Sequence, residues 1–425
     1  MKQRGRHRRQ RRGQAVRGFL AGTALALTAA ATMISASQAT VSDSPGGLKP
    51  LATDAKGADL GLQEHLVPQG TLDRLSAAMG KPVGVRAVLD DSDRTLREAA
   101  DCTTSERGAL PVEPAATRAY CWDSADTDGW QAGAVTTSGD ADDDGRWGGD
   151  RVILSGWSHD TARGKGSGIA RVAFVNADDP AHLTYTWAVL VVPVDGGRDY
   201  RGLPSAVSGM VWYQGKLLVT TATGLYAYDM RRVQRATVDS RKVGKVRGGW
   251  AAYGYRYVLP AVGSYTLGSG SPRPTAISLD RSTVPDSLVA SERVPADDDL
   301  RTRLWRYAFS SDPARAGLLA TDSAGHAVAD AAYETKVTDV AGVLSHGSTW
   351  YLDRAAGTAG DHGTLWRQDA DEAKTTECGS DASHQCWSGR GGSLSYWAET
   401  GEVWSQSGRM LYALPLSSID KSAGR

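Results

Sequence analysis

Residues Ser208 to Asp229 read SGMVWYQGKLLVTTATGLYAYD, and this stretch decides the fold expected of the chain. A small-residue pair, Ser208-Gly209, leads into the apolar run Met210 to Tyr213. Gln214-Gly215 turns the chain, Leu217 to Thr221 returns, and Gly224 opens a third run, Leu225 to Asp229. Short apolar runs punctuated by glycine-bearing turns describe antiparallel strands joined by hairpins. Two weaker copies follow. Ala341-Gly342-Val343-Leu344 leads through Gly347 and Trp350 to Gly363-Thr364-Leu365-Trp366, and Gly392-Ser393-Leu394-Ser395 leads through Gly401 and Trp404 to Gly408, Leu411 and Tyr412.

Gly342 and Gly392 stand 50 residues apart, the length of one propeller blade. The fold expected is therefore all-β, a β-propeller of about six blades, with five to seven allowed by the length of β texture. Small residues at each entry suit an inner strand where neighbouring blades crowd, and Trp and Tyr suit the outer strands. A β-sandwich with coincidental turns is the alternative. Strand-like runs at Val152 to Trp157, Ile169 to Val175, Leu183 to Val194, Tyr253 to Pro260, Thr275 to Leu279, Ser287 to Ser291 and Leu304 to Ser310 extend the pattern. Two short helical stretches, Leu72 to Met79 and Arg94 to Ala100, read as a small N-terminal insertion.

The chain divides into a signal peptide (1–39), a flexible lead-in (40–59), an N-terminal strand and helical insertion joined to the propeller (60–119), the propeller (120–417) and a tail (418–425). Eight basic residues and no acid precede an apolar, small-residue run from Phe19 to Ile34, and Ser37-Gln38-Ala39 offers a cleavage site. Secretion with cleavage near Ala39 follows, without a lipid or membrane anchor. The formal balance of 48 basic against 48 acidic residues then becomes 40 against 48. An acidic protein of this kind is a poor partner for nucleic acid. A monomer is expected.

All four cysteines lie in the exported part, where disulfides persist, and short-loop closure favours Cys102 with Cys121 and Cys378 with Cys386. Zinc is the alternative, but no close C-x-x-C pair occurs.

Asp140, Asp142 and Asp144 alternate ahead of Gly145, as in loops that wrap oxygen ligands around Ca2+, and Asp150 could close the set. A solvated acidic turn is the plainer account. Asp126-Thr127-Asp128-Gly129 is a weaker echo. Thirteen Trp and 15 Tyr against 3 Phe favour rings with a polar rim, as sugar platforms use, with Trp147, Trp157, Trp212 and Trp397 as candidates beside Gln69. The histidines are scattered singly, and no nucleophile elbow or phosphate loop occurs.

The segments GLQEHLVPQG, YCWDSADTDGW, YGYRYVLP, AISLDRSTVPDSLV and LSYWAETGEVWS, with the opening stretch, resemble a family of actinobacterial secreted β-propeller proteins of unassigned function, over residues 60–417. The resemblance implies export and a propeller and brings no substrate. The family's pattern carries His at the position of Ala206, Gln at Ala341 and Glu-Asp at Gly392-Ser393, so three polar entries are missing here.

Two functions stay open. The first is a binding or scaffold protein with its ligand at the channel mouth, an extracellular polysaccharide or cell-envelope glycan. The second is a polysaccharide-active hydrolase or lyase, with Glu64, His65, Asp280 and Arg281 as its catalytic groups. The bare entries favour the first.

Overall fold

The computed structural model describes residues 44–51, 60–159, 168–358, 360–380 and 383–424. The leader expected over 1–39 lies outside them. The described elements belong to one compact unit, Pro45–Arg425.

Eight strands form the largest sheet: β1 (Trp130–Thr137), β2 (Val152–His159), β3 (Ala170–Asn176), β4 (Thr184–Val194), β5 (Met210–Tyr213), β6 (Lys216–Thr221), β7 (Gly224–Asp229) and β8 (Tyr257–Leu267). Their order is β5-β6-β7-β8-β4-β3-β2-β1, with short strands paired alongside. All neighbours are antiparallel except β8 and β4, which run parallel from Tyr257↔Ala188 to Pro260↔Val191. Strand β8 serves two partners because its register with β7 shifts where Tyr228 faces Ala261 and Ala227 faces Gly263. Its first half pairs with β4 and its second with β7 and Leu62–Leu66.

The two ends of this sheet meet, because the Trp212 backbone N–H on β5 donates to Thr136 Oγ1 on β1 at 2.9 Å. The result is a nearly closed, barrel-like mixed sheet. Its interior is filled by the alternating apolar side chains of strands buried on both faces, among them Leu154, Val172, Leu190, Trp212, Leu217 and Tyr257.

Smaller antiparallel sheets complete the molecule. One runs Lys49–Pro50, Ala331–Thr335, Thr302–Ala308, Ser287–Ser291, Ala276–Asp280. Another joins Val340–His346, Thr349–Arg354, Thr364–Gln368 and Ala373–Thr375. A third joins Ser395–Trp397, Glu402–Ser407, Met410–Pro415, Arg118–Cys121 and Arg97–Glu98.

The expected β-propeller of about six blades is thus corrected. Propeller blades are separate antiparallel sheets, whereas here parallel pairing of β8 with β4 carries one hydrogen-bonded ladder through two groups of strands. The crowding read at the small-residue entries is real: a Cβ at Gly342 would lie 2.0 Å from the Gly392 carbonyl oxygen, and one at Gly392 would lie 2.3 Å from that of Gln406.

The helix Gln69–Met79 forms as expected, burying Leu72, Leu75 and Met79 on one face and ending where Gly80 takes φ +107°. The helix read over Arg94 to Ala100 does not form. Arg94–Thr95 pairs with Tyr185 and Thr184, and Arg97–Glu98 pairs with Cys121 and Tyr120, so neighbouring strand edges override local propensity. Residues 45–51, inside the stretch read as a lead-in, are held by the Lys49↔Glu334 pairing and by burial of Leu48. Both expected disulfides are present, Cys102–Cys121 and Cys378–Cys386.

Candidate binding groove

A groove of about 780 Å³ lies beside the sheet that contains Thr302–Ala308 and Ala331–Thr335. Its polar character begins with Arg306, the second arginine of the strand TRLWRYA and the buried one. A buried guanidinium needs an answering charge, and Arg306 finds it in Asp280, a carboxylate with no side-chain exposure. Arg306 also donates to Ser345 Oγ at 2.7 Å and sits 4.7 Å from the centroid of the Trp350 ring. Tyr333 meets Trp350 edge-on, with ring centroids 5.7 Å apart.

Asp330, Asp369 and Asp371 add carboxylates to the lining. Partial burial raises the Asp330 pKa above its ordinary value. Asp369 is held below its ordinary value, first by the backbone N–H groups of Glu372 and Asp371 that donate to it, while burial opposes them. Among the described residues lining the groove Arg306 is the only cation, and its charge is already met by Asp280. Trp350 is buried, so Tyr333 alone brings a part-exposed ring to the groove. Asp369 pairs with Arg367 at 3.8 Å, which leaves Asp330 and Asp371 as its carboxylates without an opposing charge in the lining.

The four proposed catalytic groups fall into two separate settings. Glu64 accepts from Arg315 at 2.9 and 2.7 Å and from the Tyr265 hydroxyl at 2.7 Å, while His65 contacts Thr266 Oγ1 at 3.1 Å. Asp280 is committed to Arg306 and to Ser282 N at 2.8 Å, and Arg281 reaches Asp143 and the Asp140 carbonyl. No hydrogen bond or ion pair links the Glu64 pair to the Asp280 pair among the described residues.

The acidic loop does not converge either. Asp140 points inward and accepts from Thr136 Oγ1 at 2.6 Å and Ser395 Oγ at 2.8 Å, with burial pushing its pKa up to about 6. Asp142 accepts from Asp143 N and Asp144 from Arg146 N, both at 2.8 Å, as turn caps do, and Asp150 pairs with Arg86. Among the described residues no group of three or more His, Cys, Asp or Glu side chains is placed to hold a metal ion. Asp126, of the weaker acidic motif, instead accepts from Tyr185 at 2.9 Å and Trp187 at 2.7 Å. It also faces Arg171, which lies between the Trp130 and Trp187 rings at 3.9 and 3.6 Å.

Of the aromatic candidates, Trp157, Trp212 and Trp397 are buried and present no ring face to solvent. Trp147 is half-buried, packed 5.1 Å from Trp212. Gln69 is exposed and bonded to Asp73 at the start of its helix. The ring-bearing groove residues, Tyr333 and Trp350, were not singled out as ligand contacts by sequence. The one local signal was Arg306 between the bulky Trp305 and Tyr307, but Arg303 in the same strand, paired with Glu292 instead, shows that this pattern alone does not mark a groove. Ala206 is exposed, and the glycine at 392 leaves no room for the Glu that the family resemblance places there.

Compared with known proteins, the chain matches no family model, and no curated protein is detectably similar to it.

Proposed function

We propose that this chain is an exported carbohydrate-binding protein that takes its ligand in the groove lined by Tyr333, whose part-exposed ring is backed by the buried Trp350. The observation that carries this reading is the presence, in the lining of one cavity of about 780 Å³, of the part-exposed Tyr333 ring beside the carboxylates of Asp330 and Asp371. Sugars present a C–H face and a hydroxyl edge, and a ring beside hydrogen-bond acceptors is complementary to both. The two disulfides and the leader-like N-terminus support export, and no described helix is long and apolar enough to cross a membrane.

Titration calorimetry of the purified protein against a panel of neutral oligosaccharides tests the reading. Binding by at least one member is expected, weakened about tenfold or more in Tyr333→Ala and in Asp330→Asn, each step of ten being about 1.4 kcal/mol. Absence of heat across the panel, or affinities indifferent to both substitutions, would overturn it.

A further inference from the structure

The segment after strand Ala276–Asp280 carries Thr283, Val284 and Pro285, and all three line the groove described above. The same three residues also line a second groove, of about 470 Å³, on the other side of the segment. The segment is therefore a ridge with a depression on each flank. Val284, at its crest, is fully exposed. Water-facing valine of this kind lowers no folding free energy, and an isolated one needs no explanation. Its place between two open grooves, followed by proline, gives it one.

The ridge is anchored at both feet. Arg281 donates to the Asp140 carbonyl at 2.9 Å and pairs with Asp143, and Ser282 N donates to Asp280 Oδ1 at 2.8 Å. On the far side Thr283 Oγ1 donates to Ser287 Oγ at 3.0 Å, and Arg281 reaches Asp286 at 3.4 Å. A loop so tied holds its crest in place without a ligand.

The second groove shares part of the first's polar chemistry. Tyr213 and Phe309, packed with ring centroids 4.0 Å apart, lie buried behind its lining. Gln214, Asp286 and Asp312 supply polar groups. Among its described lining residues none is Lys or Arg. Two depressions with carboxylates in their linings therefore share one apolar crest, and among the described lining residues neither has a free cation to receive a polyanion.

We propose that the two grooves are subsites of a single cleft for an extended, neutral, hydroxyl-rich polysaccharide chain, which crosses the ridge with its C–H face on Val284 and Pro285. This rests on the carbohydrate reading above and sharpens it from a sugar to a polymer. Binding energy then accumulates with chain length, because units beyond the first groove reach the ridge and the second groove.

The test is a length series in titration calorimetry, with cello-, malto- and chito-oligosaccharides of two to six units, on the full mature chain. The hexamer of at least one series should bind at least tenfold more tightly than its dimer. In Ser311→Trp, which fills the second groove alone, and in Val284→Asp, which charges the crest, the hexamer advantage should fall below threefold, with circular dichroism confirming the fold of each. Equal affinity for dimer and hexamer in every series that binds, or a hexamer advantage that survives both substitutions, overturns the two-subsite cleft and leaves the single-groove reading standing. Silence of every oligosaccharide, including the case in which only an oligolysine peptide binds the acidic rim, overturns both.

Discussion

Asp353 shows what burial does to a single carboxyl group. It is fully buried on the strand Thr349–Arg354, where Oδ2 accepts from Gly392 N at 2.8 Å and Oδ1 has no partner among the described residues. Around it, Trp387 Nε1, Ser388 Oγ, Ser405 Oγ and Tyr412 OH are likewise buried without a bonded partner. Burial pushes the Asp353 pKa up to about 7 from an ordinary 3.8, against the pull of the Gly392 N–H. A carboxyl whose folded pKa is raised binds its proton more tightly when folded. Its contribution is full below pH 3.8 and is lost as pH rises to about 7. The loss across that window is up to roughly 4 kcal/mol. Asp353→Asn keeps the shape and removes the charge. Its melting temperature should exceed that of the parent at pH 8 by several degrees, with the gap narrowing toward pH 4. A gap independent of pH would show that Asp353 does not titrate in this window. Asp140 acts in the same direction over the narrower span from 3.8 to about 6, moderated by two hydroxyl donors.

Among the elements, β7 carries the sharpest local requirement. Gly224 opens it at φ +135°, and a Cβ there would lie 2.0 Å from the Tyr265 carbonyl oxygen on β8. Any side chain must push two paired strands apart, and Gly224→Ala should destabilise by about 2 kcal/mol or more, read from the urea midpoint. An unchanged midpoint would mean that the close approach of β7 to β8 does not persist in solution. This glycine belongs to the stretch whose strands were most legible in the sequence. The three runs read from Ser208 to Asp229 fall on β5, β6 and β7, because glycine turns and apolar runs fix local hairpins. Both disulfides were legible for a similarly local reason. Period-2 burial says which face of a strand is covered but not which strand lies beside it. The parallel union of β8 with β4, some 70 residues apart, therefore left no trace from which to reject a propeller. The groove was hidden for the same reason: Asp330 and Tyr333, Trp350, and Asp371 come from three separate segments. The Asp140 to Asp144 loop shows the opposite failure, a local motif whose carboxylates are drawn to different partners.

At the scale of the molecule, remote segments share one aromatic core. Trp122 lies fully buried with its ring 5.5 Å from Trp157, 4.8 Å from Tyr185 and 5.5 Å from Trp187. Its backbone N–H donates to the Arg409 carbonyl at 3.0 Å. Strand Arg118–Cys121, just before it, pairs with Met410–Pro415 and is fastened by Cys121 to Cys102. Tyr120 stacks on Trp404, and Trp397, Trp404 and Leu411 belong to the same core cluster. An early segment, the large sheet and the last sheet therefore share one packed cluster, beside the separate clusters inside the large sheet and behind the last one. Removing a buried tryptophan ring costs about 3–5 kcal/mol, because the surrounding wall can only partly collapse. Trp122 Nε1 has no hydrogen-bond partner among the described residues, so Trp122→Ala isolates the packing contribution. If the cluster couples the sheets, calorimetry of the variant should show the parent's single transition moved to lower temperature with its cooperativity intact. Separation into two transitions, the upper one at the parent's temperature, would mean that the large sheet folds without the last one and that the cluster is only a contact between them.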